Sequence, residues 1–261
     1  MQALFAETTE QLERWKADPD VLGVLMVGSK SRGHGDALSD DDLEVVLTDA
    51  AHARLRPSAC SIVVPAEDGG PRRWIYDAYL TSLSDLESKA ASPRDLDHWP
   101  YEGEVLLFDR DGRVGRAVRN AGRMAPEFRE ARLRHAYVDV YVAAARAEKC
   151  LKRGLDASAA LIVARGAKAL SRVIFALEGR WVPLDHWLEP ELATLEDAAG
   201  AVPLLLEAVR ERRPQALREA MGRLEERLVS EGLPPRAGIT EFFLELIHPD
   251  RSAERLIHGL T

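Results

Sequence analysis

The 261 residues predict an α+β chain, with a strand-bearing part from residue 1 to 112 and an α-helical bundle from 113 to 261. Three observations predict it. Short apolar runs bounded by Gly, Pro and Asp fill the first part, VLGVLMV being the clearest, and so short a β-branched run suits a buried strand better than a helix. Beyond Val114 the texture changes to long Ala-, Leu-, Arg- and Glu-rich stretches punctuated by Gly and Pro, the pattern of packed helices. Formal charge divides at the same place: 11 Lys and Arg against 22 Asp and Glu up to Gly112, hence −11, and 24 against 21 beyond it, hence +3.

The elements follow in order. Residues 3 to 16 set Leu4, Phe5, Thr8, Leu12 and Trp15 on one helical face, and Asp18 and Pro19 stop that helix. Val21 to Val27 is the first strand, ending at Gly28 and Ser29, and a polar loop then runs to Ser39. In DDDLEVVLTD a period of two puts Leu43, Val45 and Leu47 on one face and Asp40, Asp42 and Glu44 on the other, with Asp41 turned away from them. SIVVPAE and RRWIYDAYLTSL read as two strands joined by a turn at Glu67, Asp68, Gly69, Gly70 and Pro71, the second strand bearing Asp77. Ser84 and Glu87 fit a capping box, and EVLLFD is a last strand ending in DRDG.

Composition narrows the function classes. Hydrophobic residues make up 46% of the chain, enough for a sizeable core. A net charge of −8, with no basic or aromatic-rich strip, argues against a nucleic-acid polymer as partner. The two cysteines, Cys60 and Cys150, have no metal-like spacing and suggest reduced thiols in the cytoplasm. MQALFAETTEQLERW carries acids where a secretory leader carries bases, and AALIVARGAKALSRVIFAL is interrupted by Arg165, Lys168 and Arg172, so no membrane partner is expected.

The chemistry concentrates in GSKSRGHGDALSDDDLEVV, from Gly28 to Val46. Two carboxylates spaced two apart on a strand, Asp40 and Asp42, point the same way and offer oxygen ligands to hard cations such as magnesium. With Gly28, Ser29, Arg32, Gly33, Ser39, Asp40, Asp42 and Leu43 in this order, the segment resembles the nucleotidyltransferase superfamily of the DNA polymerase beta fold. Among its members the chain is most similar to the aminoglycoside and lincosamide nucleotidyltransferases, whose helical C-terminal domain AKALSRVIFALEGRWVPLDHWL also resembles through Trp181, Pro183, Trp187 and Leu188.

The resemblance implies a mixed sheet, Gly28 and Ser29 holding a triphosphate with Lys30, Arg32 and Ser39 nearby, and a helical domain closing the cleft. It implies two Mg²⁺ ions on Asp40 and Asp42 with a third carboxylate on a neighbouring strand. Asp77 is the best candidate, because it lies mid-strand among bulky apolar residues, whereas Glu67 and Asp68 occupy a turn and Asp85 a first helical turn. From the second half Arg146, Lys149 and Lys152 are the candidate basic residues for the phosphates.

The implied activity is transfer of a nucleoside monophosphate, AMP from ATP, to a hydroxyl of a small molecule with release of pyrophosphate, an aminoglycoside- or lincosamide-type antibiotic being one such acceptor. An antitoxin-type or regulatory nucleotidyltransferase that binds or modifies a protein partner is the second reading, and a homodimer is compatible with either. Glu44 is expected to pair with an arginine such as Arg32, and His98 to be structural. Arg251 and His258 form only a loose spacing of the kind that arises by chance.

Overall fold

The computed structural model describes residues 3–66, 70, 73–103, 105–197 and 199–248. The turn residues 67–69 and 71, Glu104 of the expected last strand, Arg251 and His258 lie outside the described residues. The chain divides into two compact units, Met1–Ser92 with Leu96–Arg123, and Pro93–Asp95 with Met124–Thr261. The fold is α+β, a mixed sheet with helices followed by a helical region, and no described helix is long and apolar enough to cross a membrane.

The first unit runs α1 (Ala6–Ala17), β1 (Val21–Val27), α2 (Gly28–Ser31), β2 (Asp41–Leu47), α3 (Asp49–His52), β3 (Ser61–Pro65), β4 (Trp74–Ser82), α4 (Leu83–Ser88), β5 (Leu106–Asp109) and α5 (Arg113–Gly122). The strand order is β3-β4-β2-β1-β5, with β2 and β4 parallel and every other pair antiparallel. Alternation along the strands gives the sheet two apolar faces, each with its own core. Val24, Met26, Leu43, Val45, Leu47 and Ala78 pack with Leu12 and Trp15 of α1 on one side. Leu25 and Val46 pack with Leu83 and Leu86 of α4 and with Val114, Ala117, Val118 and Ala121 of α5 on the other.

α5 buries an apolar stripe in that second core, and the division between the units falls after Arg123. One expectation is corrected at α4. The cap of α4 is Ser82, not Ser84: β4 leads straight into the helix, and Ser82 Oγ accepts the Asp85 N–H at 3.0 Å while bonding the Asp85 carboxylate at 2.6 Å.

The second unit contains α6 (Pro126–Lys152), α7 (Asp156–Leu177), α8 (Leu188–Leu192), α9 (Ala201–Arg210), α10 (Pro214–Ser230) and α11 (Ile239–Leu246). Proline opens α6 and α10 at a position where the missing N–H costs nothing. Ala136, Val140, Ala144 and Ala147 of α6 share one core with Val163, Ala167, Leu170 and Ile174 of α7 and with Leu205 and Leu217 of α9 and α10. Trp181 is fully buried against Phe128, with the guanidinium of Arg132 4.5 Å above its ring. The same guanidinium is bound to Asp95, so its burial beside an apolar ring is compensated.

Candidate functional site

One row of residues across three strands carries the acids. Val27 at the end of β1 pairs with Asp42 of β2, and Asp42 pairs in parallel with Asp77 of β4. Residues opposed in a ladder project to the same face, so the two carboxyl groups meet and share a hydrogen bond. Asp40 is half-buried and stands one residue ahead of β2, which starts at Asp41. It therefore lies beside the row rather than in it, within electrostatic reach of both carboxyl groups. Among the described residues no three His, Cys, Asp or Glu side chains close into a ready-made metal cage, so the site is a carboxylate pair with a third acid alongside.

The electrostatics follow from this crowding. Burial first, then the charges of Asp40 and Asp77, push the Asp42 carboxyl from its ordinary 3.8 up to about 7, against a hydrogen bond from the Ser29 backbone that favours the charged form. Burial and Asp40 raise Asp77 as well, eased by its hydrogen bond to Asp42. Among the described residues no lysine or arginine forms an ion pair with either. Gly28 bounds the pair from below: its φ is +69°, and a Cβ there would come 1.9 Å from Asp42 Oδ2. Only glycine lets the chain turn so close beneath a carboxylate.

A pH dependence arises from these groups. In metal-free protein the folded state keeps a proton on Asp42 that the unfolded chain gives up above pH 3.8. This contribution is fully present below pH 3.8 and is lost as pH rises through about 7. Thermal or urea midpoints measured in chelator should therefore fall across that window, with a slope no steeper than the ~1.4 kcal/mol per pH unit that one proton allows. Asp42→Asn should flatten the profile; an unchanged slope in that variant would assign the titration to another group.

The rest of the loop is more tightly tied than expected. Asp41 is fully buried on the opposite face, where its carboxylate accepts the Phe5 N–H at 2.9 Å and pairs with Lys30 at 2.7 Å. Lys30 lies over the Phe5 ring and is buried, so this expected phosphate ligand is instead committed to an internal ion pair. Arg32 donates to the Glu102 carbonyl at 2.7 Å and pairs with its carboxylate at 3.3 Å, rather than pairing with Glu44. Ser29 Oγ and Ser39 Oγ, both buried, bond to each other at 3.0 Å and so fasten the two ends of the loop. Lys149 belongs to the helical unit, where it stands exposed near the end of α6 with Arg146 and Lys152.

Glu44 is structural as expected, but its partners are Lys89 at 2.7 Å and the Tyr101 hydroxyl. Lys89 also meets the Tyr101 hydroxyl, and burial followed by Glu44 holds that phenol strongly protonated. Partners so far along the chain leave no local signal. Lys89→Ala would leave Glu44 buried without its cation, and we expect a loss of about 3 kcal/mol, somewhat less than for a fully buried pair because Lys89 is partly exposed. A urea midpoint unchanged in this variant would mean that Tyr101 alone satisfies Glu44. His98 is structural too: it is fully buried, with its ring nitrogens 2.6 Å from the Ala121 carbonyl and 2.7 Å from that of Ser92.

No protein-family model matches the chain, and no curated protein does. Among solved structures the chain is similar to a nucleotidyltransferase-like protein from Exiguobacterium sibiricum 255-15, with 19% sequence identity and a TM-score of 0.45, over 97% of this chain and 87% of that one.

Proposed function

We propose that the protein is a metal-dependent nucleotidyltransferase that moves AMP from ATP to the hydroxyl of a small acceptor. The observation that carries the reading is the Asp42–Asp77 pair, joined across β2 and β4, raised by burial and then by the neighbouring charge of Asp40, and met by no protein cation among the described residues. Such a pair is unfavourable to the fold on its own, which supports a role that only a bound divalent cation completes. All-oxygen ligands suit magnesium, and two ions held there would supply the positive charge that a triphosphate and a departing pyrophosphate need.

The chain's own residues account for the remainder. Asp42 and Asp77, with Asp40 beside them, hold the ions; Gly28 gives the backbone its close approach; Ser29 and Ser39 keep the loop shut upon itself. Asp77 also accepts the proton of the acceptor hydroxyl as its oxygen bonds to the α-phosphorus and the bond to the bridging oxygen of pyrophosphate breaks. The acidic first part favours cationic acceptors, so aminoglycosides come first among those to test and lincosamides next.

The test is pyrophosphate release and acceptor labelling with Mg²⁺, each of the four labelled nucleoside triphosphates and a panel of these antibiotics. Labelling with ATP supports the reading. If calorimetry on the same protein shows no binding of any magnesium–nucleotide complex, the reading fails.

A further inference from the structure

The parallel register of β2 and β4 runs from Asp42 and Asp77 to Leu47 and Ser82. Five residues of strand, about 16 Å, separate Asp77 from Ser82, and Cys60 adjoins Leu80, three residues along β4 from Asp77, so the groups gathered towards that end are distinct from the carboxylate site. Three chemically active side chains gather there, from three different elements. Cys60 immediately precedes β3, His52 ends α3, and Asp85 lies in the first turn of α4.

Their order in space is thiol, imidazole, carboxylate. Cys60 Sγ is 3.9 Å from His52 Nε2, and the other ring nitrogen, Nδ1, is 3.8 Å from Asp85 Oδ2. The Asp85 carboxylate is fixed in turn by Ser82 Oγ at 2.6 Å. On its other side the Cys60 thiol donates to the Arg56 carbonyl oxygen at 3.6 Å, so the single thiol proton has two acceptors in reach and passes to the imidazole by rotation about the Cβ–Sγ bond. Cys60 is only partly covered and the Asp85 side chain is largely exposed, so a small reagent can reach the sulfur. Cysteine chemistry needs a thiolate in a partly exposed setting beside a proton acceptor, and an imidazole backed by a carboxylate is such an acceptor.

We propose that Cys60 is a reactive thiol, oxidised by small peroxides, with His52 as its proton acceptor and Asp85 as the positioning residue for the imidazole. The sulfur attacks one peroxide oxygen; the S–O bond forms and the O–O bond breaks. The thiol proton passes to His52 Nε2 and from there to the leaving oxygen, so that hydrogen peroxide departs as water and an organic hydroperoxide as its alcohol. Sulfur loses two electrons and the peroxide gains them, leaving Cys60 as a sulfenic acid.

The chain supplies its own reference. Cys150, the other cysteine, is also a free and partly covered thiol, but no histidine lies against it among the described residues. The experiment treats the full protein with limiting hydrogen peroxide, traps sulfenic acid with dimedone, and follows each cysteine by peptide mass spectrometry. Iodoacetamide alkylation rates at the two sites give a second measure. We expect Cys60 to react about tenfold faster than Cys150 by both. His52→Gln should bring Cys60 down to the rate of Cys150; Asp85→Asn should slow it, and Asp85→Glu should restore it. Equal rates at the two cysteines of the unaltered protein would overturn the proposal without any variant. An unchanged Cys60 rate in folded His52→Gln would overturn the role of the imidazole.

Discussion

Asp42→Asn should lower nucleotide transfer by about a thousandfold or more, roughly 4 kcal/mol of transition-state stabilisation, while the protein remains folded. The substitution keeps the shape of the side chain and can still accept the Ser29 hydrogen bond, but it removes the charge at the centre of the Val27–Asp42–Asp77 row. Stability should hold or rise, because the buried charge of Asp42 and its repulsion from Asp40 and Asp77 are removed. The control is one residue away. Asp41→Asn leaves Lys30 buried without its anion and should cost about 3–5 kcal/mol of stability, with transfer per folded molecule far less affected. Turnover and denaturant midpoints measured on both variants separate the two acids. A pattern in which Asp41→Asn removes activity and Asp42→Asn does not would place the reacting centre on the other face of the sheet.

That contrast also marks what could be read from the chain in advance. Alternation in DDDLEVVL was enough to separate Asp41 from Asp42, because a strand's period of two depends on nothing beyond the strand itself. β1 and the pairing face of β2 were legible for the same reason, and Asp77 was legible because a carboxylate among Trp74, Ile75, Tyr76 and Tyr79 has no cheap place in a core. What stayed hidden depends on partners distant in sequence. Lys30 and Arg32 look like loop cations until Asp41 and Glu102 are brought to them, and Lys89 is recognisable as the partner of Glu44 only once the chain between them has folded. The division between the units is legible only to within a dozen residues, because the Arg-rich surface of α5 reads like the helices that follow, while its narrow stripe of Val114, Ala117, Val118 and Ala121 packs on the sheet.

Gly28→Ala should damage the carboxylate site and the fold together. The residue sits at φ +69°, which costs an alanine about 1–2 kcal/mol, and the new Cβ would lie 1.9 Å from Asp42 Oδ2 and 2.6 Å from its Cγ. Ordinary contact needs about 3.5 Å, so the carboxylate must withdraw by more than about 1 Å or the turn must lift away from β2. Withdrawal is opposed on the other side, where Asp42 is joined to Asp77. The expected result is a stability loss of about 2–4 kcal/mol together with a loss of transfer approaching that of Asp42→Asn, the strain of the turn adding to that of overpacking. The two effects are separable by assaying well below the unfolding midpoint and measuring magnesium–nucleotide binding by calorimetry in parallel. If the variant is destabilised but transfers at the normal rate, the close approach of Gly28 to Asp42 serves only the turn. If binding and transfer fall together while the protein remains folded, the geometry of that one carboxylate sets the activity.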